Sequence, residues 1–158
     1  DFGLGEQLGV SRKKAKEYIE QYLDKYNGIK EFMTNIVEET KEKGYVETLF
    51  ARRRYIPELS SNNYMVRQFG GRVAMNTPIQ GTAADIIKLA MIGVYTEMKK
   101  RGLRSKLIIQ VHDELVIDAV KEEVVEVEQL LKDVMENIAQ LNVKLIVNLY
   151  SLLYPLIP

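Results

Sequence analysis

Cysteine is absent from these 158 residues and histidine occurs once. Without a thiol the chain forms no disulfide, offers no thiolate nucleophile and builds no cysteine zinc site, a composition that suits a reducing compartment. With a single histidine, any metal site rests mainly on carboxylates, whose hard oxygens select magnesium or manganese. Charge of one sign is lacking too: 22 Lys and Arg balance 22 Asp and Glu, so the total charge gives no reason to expect a polyanionic partner. No apolar run reaches membrane length, because the stretch from Leu145 is broken by Asn148, Pro155 and Pro158, and the expectation is a chain with no membrane partner. DFGLGEQLGV opens the chain without a start methionine or signal peptide, which reads as a piece of a longer protein.

The hydrophobic content of 46% is enough to build a core. The balanced charge conceals a local split. Residues 45–75 carry Arg52, Arg53, Arg54, Arg67 and Arg72 against Glu47 and Glu58, whereas residues 121–140 are rich in Glu and Asp. A phosphate-facing side is consistent with the first of these stretches.

Helical spacing, caps and stops predict a helix over Arg12–Tyr26 behind Ser11 and a second one to Lys43, with Ile29, Phe32, Met33, Ile36 and Val37 as its apolar stripe. GYVETLFARRRYIP reads as two short strands, and SSNN at 60–63 as the cap of a helix toward Asn76. A long helix follows Thr77-Pro78 as far as Gly102. Strands at Leu107–Val111 and Leu115–Val120, a helix over Glu122–Leu141 and a last strand from Asn142 to about Tyr150 complete an α+β layout, with helices packed on a small antiparallel sheet.

Four stretches could carry chemistry. In IIQVHDELVI the polar residues Gln110, His112, Asp113 and Glu114 interrupt an apolar run where a hairpin would reverse. Asp113 and Glu114 are either solvated turn residues or carboxylates that a rigid hairpin offers to a magnesium ion whose other ligands are phosphate and water. His112 either caps the turn or donates to a phosphate. Arg52, Arg53 and Arg54 are a solvated run or guanidinium forks for phosphates. In NTPIQGTAAD, Thr77 and Gln80 either form a capping box, or the preceding helix runs through Pro78 and turns Arg72, Asn76 and Gln80 to one face. One cation and two amides there suit a backbone phosphate and minor-groove acceptors.

GYVETLFARRRYIPEL, RVAMNTPIQGTAADIIKLAM and QVHDELVIDAV, in this order, closely resemble the C-terminal part of the family A DNA polymerases, the bacterial DNA polymerase I type. The likeness extends from residue 1 to about Leu145, and PIQGTAAD with VHDE is specific to the family. Single-subunit phage RNA polymerases share the His-Asp pair but generally follow it with Ser, so Glu114 and QGTAAD favour the DNA enzymes.

The resemblance implies that residues 1–44 are the last helices of the fingers and residues 45–158 part of a right-hand polymerase palm. It implies that Asp113 binds the catalytic metal ions, that His112 contacts the primer end and that Glu114 supports them. Arg72, Asn76 and Gln80 would face the duplex near the primer terminus, and Arg52 to Arg54 would help hold DNA. The implied cofactor is Mg2+ in a two-metal site with one ligand present here. The implied partners are DNA primer-template, dNTP and the remainder of the polymerase chain, in the bacterial cytoplasm at the nucleoid. The family's other metal aspartate, its nucleotide-gripping helix and its thumb match nothing in this sequence, so these residues are expected to be inactive alone.

Three positions depart from the family pattern. Gly71 stands where many relatives carry an acid, Val120 where proline is frequent, and the ending NLYSLLYPLIP after about Leu145 is atypical. Three other readings compete, one of them a purely structural helical domain that would show neither a metal site nor a DNA-binding face. A metal-dependent nuclease would need a carboxylate partner for Asp113, such as Asp85 or Asp118, and a non-catalytic DNA-binding module would need the arginines but no metal.

Overall fold

A computed structural model describes residues 1–152. The chain divides into two units, Asp1–Ile79 and Gln80 onward, each with an apolar cluster and a two-stranded antiparallel ladder. The architecture is α+β as expected, with two separate ladders among the described residues in place of one small sheet.

In the first unit, helix α1 (Phe2–Leu8) ends at Gly9, and α2 (Arg12–Lys25) begins at Ser11, whose hydroxyl accepts from Lys14 N at 3.3 Å. Helix α3 (Asn27–Lys43) stops at Gly44, where φ is 77°. Strands β1 (Tyr45–Glu47) and β2 (Arg53–Tyr55) pair Tyr45 with Tyr55 and Glu47 with Arg53. A 3-10 turn over Pro57–Ser60 leads to α4 (Tyr64–Asn76), whose cap is Asn63, the last residue of the expected SSNN stretch.

Val46, Ile56, Leu59 and Ala74 form the core here, with Ile36, Val37 and Val73 packed on it. Only the C-terminal part of the expected α3 stripe is therefore used: Ile29, Phe32 and Met33 are exposed, because the elements that bury the helix meet its last turns. Gly70 lets α4 approach the 3-10 turn, since a Cβ there would stand 3.0 Å from Glu58 Cβ and 3.1 Å from the Leu59 nitrogen. Gly71 faces open space, so its cost is that of helix propensity alone, up to ~1 kcal/mol against alanine.

The helical backbone continues through Pro78 as a π turn over Thr77–Gly81. Proline has no N–H to donate, and a widened turn accommodates the missing bond. The capping box does not form. Thr77 is itself helical, at φ −61° and ψ −43°, and its hydroxyl donates to the Val73 carbonyl at 2.7 Å.

In the second unit α5 (Thr82–Lys100) packs on α6 (Val124–Asn137) through Val94, Met98, Val127, Leu130 and Leu131. Between them lie β3 (Lys106–Val111), β4 (Glu114–Asp118) and a 3-10 turn at Lys121–Glu123. Leu115 and Ile117 of β4 rest against this helical core.

The expected strand over residues 142–150 is not one: this segment has no strand pairing. A strand needs a partner edge for its N–H and C=O groups, and the segment is tied down by side chains instead, Val147 N donating to Glu136 Oε1 at 3.2 Å and the Ser151 hydroxyl to Glu128. The last residues of the atypical ending, 153–158, lie outside the described residues. No helix among the described residues is long and apolar enough to cross a membrane.

Candidate functional site

The β3–β4 hairpin turns on two residues. Val111 pairs with Glu114, which leaves His112 and Asp113 as the loop. His112 has φ 52°, a left-handed value that costs an L residue about 1–2 kcal/mol. Two-residue hairpin turns ordinarily place glycine or asparagine at such a position, so a loop that only reversed the chain would not need histidine. Positive φ at a non-glycine residue concentrates at functional sites.

A bulge at Ile108 decides which side chains face the helices. Leu107 pairs with Ile117, but the next pair is Ile109 with Val116, so one extra residue shifts the alternation. Leu107, Gln110, Leu115 and Ile117 are half-buried, while Ile109, Val111, Glu114 and Val116 are exposed.

At the tip, His112, Asp113 and Glu114 are all exposed. Their side chains make no hydrogen bond or ion pair among the described residues. The loop is instead held from one side, where Gln110 Nε2 donates to the His112 carbonyl at 2.7 Å.

The base of the hairpin is anchored by a carboxylate that sequence reading missed. Glu123 accepts from the backbone N–H of Arg104 at 3.0 Å and of Ser105 at 2.8 Å, and from the Ser105 hydroxyl at 2.6 Å. The Ser105 oxygen in turn accepts from Val120 N at 2.9 Å. The Ser105 hydroxyl and then the two backbone donors hold the Glu123 carboxyl down to about 2, because hydrogen bonds to a carboxylate favour its charged form. Glu123 reads in sequence as one more acid at a helix start, and nothing local marks its partner 18 residues away.

The arginine run is not uniform. Arg53 Nε meets Glu47 Oε1 at 2.8 Å, and its guanidinium lies 4.6 Å from the Tyr45 ring centre. Arg52 closes the loop with its backbone, its N–H donating to Thr48 Oγ1 at 3.2 Å. Arg54 is exposed opposite Val46. Arg72 and Asn76, one turn apart on α4, are exposed, and Gln80 in the π turn is exposed as well.

As a metal ligand, Asp113 fits in kind: a solvent-facing carboxylate next in sequence to a second one, both without internal partners among the described residues. A hard cation there would draw its remaining oxygens from phosphate, water and other carboxylates, since no group of three or more His, Cys, Asp or Glu forms a metal cage among the described residues. The two acids considered for a nuclease pair differ from Asp113 in place or exposure. Asp118 pairs with Lys106 at the opposite end of the ladder, about 16 Å away at the rise of a strand, and Asp85 is buried on α5.

The sequence profile described as DNA polymerase family A matches residues 1–151. DNA polymerase I of Bacillus subtilis (strain 168) is 50% identical over 151 residues, which are 96% of this chain and 17% of the relative. DNA polymerase I of Bacillus caldotenax is 51% identical over 145 residues, 92% of this chain and 16% of the relative. The POL domain of Pol1 from M. smegmatis, solved in complex with DNA primer-template and dNTP, is similar with a TM-score of 0.86 and 45% identity, over 90% of this chain and 25% of that one. The chain thus spans a small part of the length of its relatives.

Proposed function

Because this chain belongs to DNA polymerase family A, we propose that it forms part of the fingers and palm of an enzyme that adds nucleotides from dNTP to the 3' end of a DNA primer. Residues 1–44 are the fingers helices and residues 45–158 the palm portion. The observation that carries this reading is the β3–β4 tip, a two-residue turn that presents Asp113 and Glu114 to solvent with no counter-charge among the described residues, while His112 has a positive φ.

In this reading Asp113 is one ligand of a two-magnesium site. When bound, the two ions lower the barrier to attack by the primer hydroxyl and stabilise the leaving pyrophosphate. Glu114 adds negative charge beside Asp113 and raises the local attraction for cations. His112 donates to the primer end, and Arg72, Asn76 and Gln80 contact the duplex, with Gln80 available for this because Thr77 does not form a cap with it. Within the run Arg52 to Arg54, Arg54 holds the DNA backbone most directly, since Arg53 is paired with Glu47. The remaining metal ligand and the groups that grip dNTP come from the remainder of the polymerase chain, which works in the bacterial cytoplasm at the nucleoid.

Primer extension with magnesium tests this. The complete polymerase chain carrying this segment extends a primer, and residues 1–158 alone do not. Asp113→Asn in the complete chain cuts extension by about a hundredfold or more, the scale of removing one main source of transition-state charge stabilisation, while primer-template binding is retained. Undiminished extension by the Asn variant, or extension by residues 1–158 alone, would overturn the assignment.

A further inference from the structure

We infer that Gln110 is a positioning residue, whose amide holds the strained His112 backbone and thereby fixes the direction in which Asp113 is presented. Gln110 lies opposite Leu115 in the ladder, on the half-buried face that also carries Leu107 and Ile117. Every other member of that set is aliphatic, and alternation alone would fill the position with another aliphatic residue. Among the described residues the polar group makes one hydrogen bond, 2.7 Å from its Nε2 to the His112 carbonyl.

That carbonyl belongs to the residue with φ 52°, and its carbon forms the peptide bond to Asp113. Rotation about the His112 backbone would swing the Asp113 carboxylate, since a two-residue loop has no other residue to absorb the change. The bulge at Ile108 is what brings Gln110 to the inner face. Without that extra residue, position 110 would face outward and its amide would leave the loop. Bulge, amide and loop thus form one chain of dependence that ends at Asp113.

This inference rests on Asp113 being a metal ligand. Loss of a group that orients a ligand raises the metal requirement without removing the ligand itself.

The test is a magnesium titration of primer extension by the complete polymerase chain at a temperature well below unfolding, with wild type, Gln110→Met, His112→Gly and the double variant. Methionine keeps length and bulk and removes the donor. The magnesium midpoint of Gln110→Met rises about tenfold, the lower end of what loss of an orienting partner costs, with an unchanged melting temperature. The same substitution in the His112→Gly background moves the midpoint less, because glycine adopts positive φ without strain and the part of the restraint that opposes strain is no longer needed. An unchanged midpoint, a loss of melting temperature alone, or an equal shift in both backgrounds would overturn the role of Gln110. Full activity of Asp113→Asn would overturn the metal reading instead, so the two failures are distinguishable.

Discussion

In the β1–β2 hairpin the cation of Arg53 meets Glu47 at 2.8 Å and lies over the Tyr45 ring, whereas at the tip of β3–β4 the carboxylates of Asp113 and Glu114 have no counter-charge among the described residues. The anchoring is reversed as well. The first hairpin closes through Thr48 N donating to the Arg52 carbonyl at 3.0 Å, inside its own loop. The second hairpin is fastened at its base by Glu123 from the 3-10 turn that precedes α6, and its tip is left open apart from the Gln110 bond. Charge that is neutralised within a hairpin stabilises that hairpin; charge left without a partner at a fixed turn is available to a ligand.

The contrast sharpens first on the arginines. Arg54→Gln is expected to weaken primer-template binding by the complete chain and to reduce the slope of log affinity against log salt by about 1, the signature of one lost phosphate contact. Arg53→Gln should change the slope by much less, because its guanidinium already pairs with Glu47. Binding isotherms at several salt concentrations check both. An equal loss for the two variants would mean that the Glu47 pair yields to phosphate and that pairing in the free chain does not predict use.

A smaller effect tests the anchored base. The Glu123 carboxyl is held down to about 2 from an ordinary 4.5. A carboxyl depressed on folding adds stability above its unfolded pKa, and that contribution is lost as pH falls through the window from about 4.5 to about 2. Glu123→Gln should therefore lower the melting temperature at neutral pH and flatten its decline across this window. A variant whose melting curve keeps the wild-type acid dependence would show that other carboxylates dominate.

Much of this layout was legible in sequence because the signals were local. Ser11, Asn63 and Gly44 cap or stop helices where expected, and the polar break in IIQVHDELVI falls at the turn. The expected last strand does not form because an apolar segment shows only the capacity to pair, and pairing also requires a free edge. Gln110 and Glu123 escaped because their roles depend on a bulge that shifts the faces and on a contact across 18 residues, neither of which leaves a local mark. Asp113 and Glu114 stand out as candidates, yet spacing alone leaves them equal to any solvated turn; the structure adds that they have no internal partner among the described residues, while positive φ is shared by His112 and by Ala51 of the first hairpin.

The most direct measurement is a crystal structure of the complete chain with primer-template, dNTP and manganese, read by anomalous scattering. The account predicts a manganese ion with an Asp113 carboxylate oxygen at roughly 2.0–2.2 Å, the distance of a small hard divalent ion, and the Gln110 amide still on the His112 carbonyl. A bound ion whose ligands exclude Asp113 would contradict it.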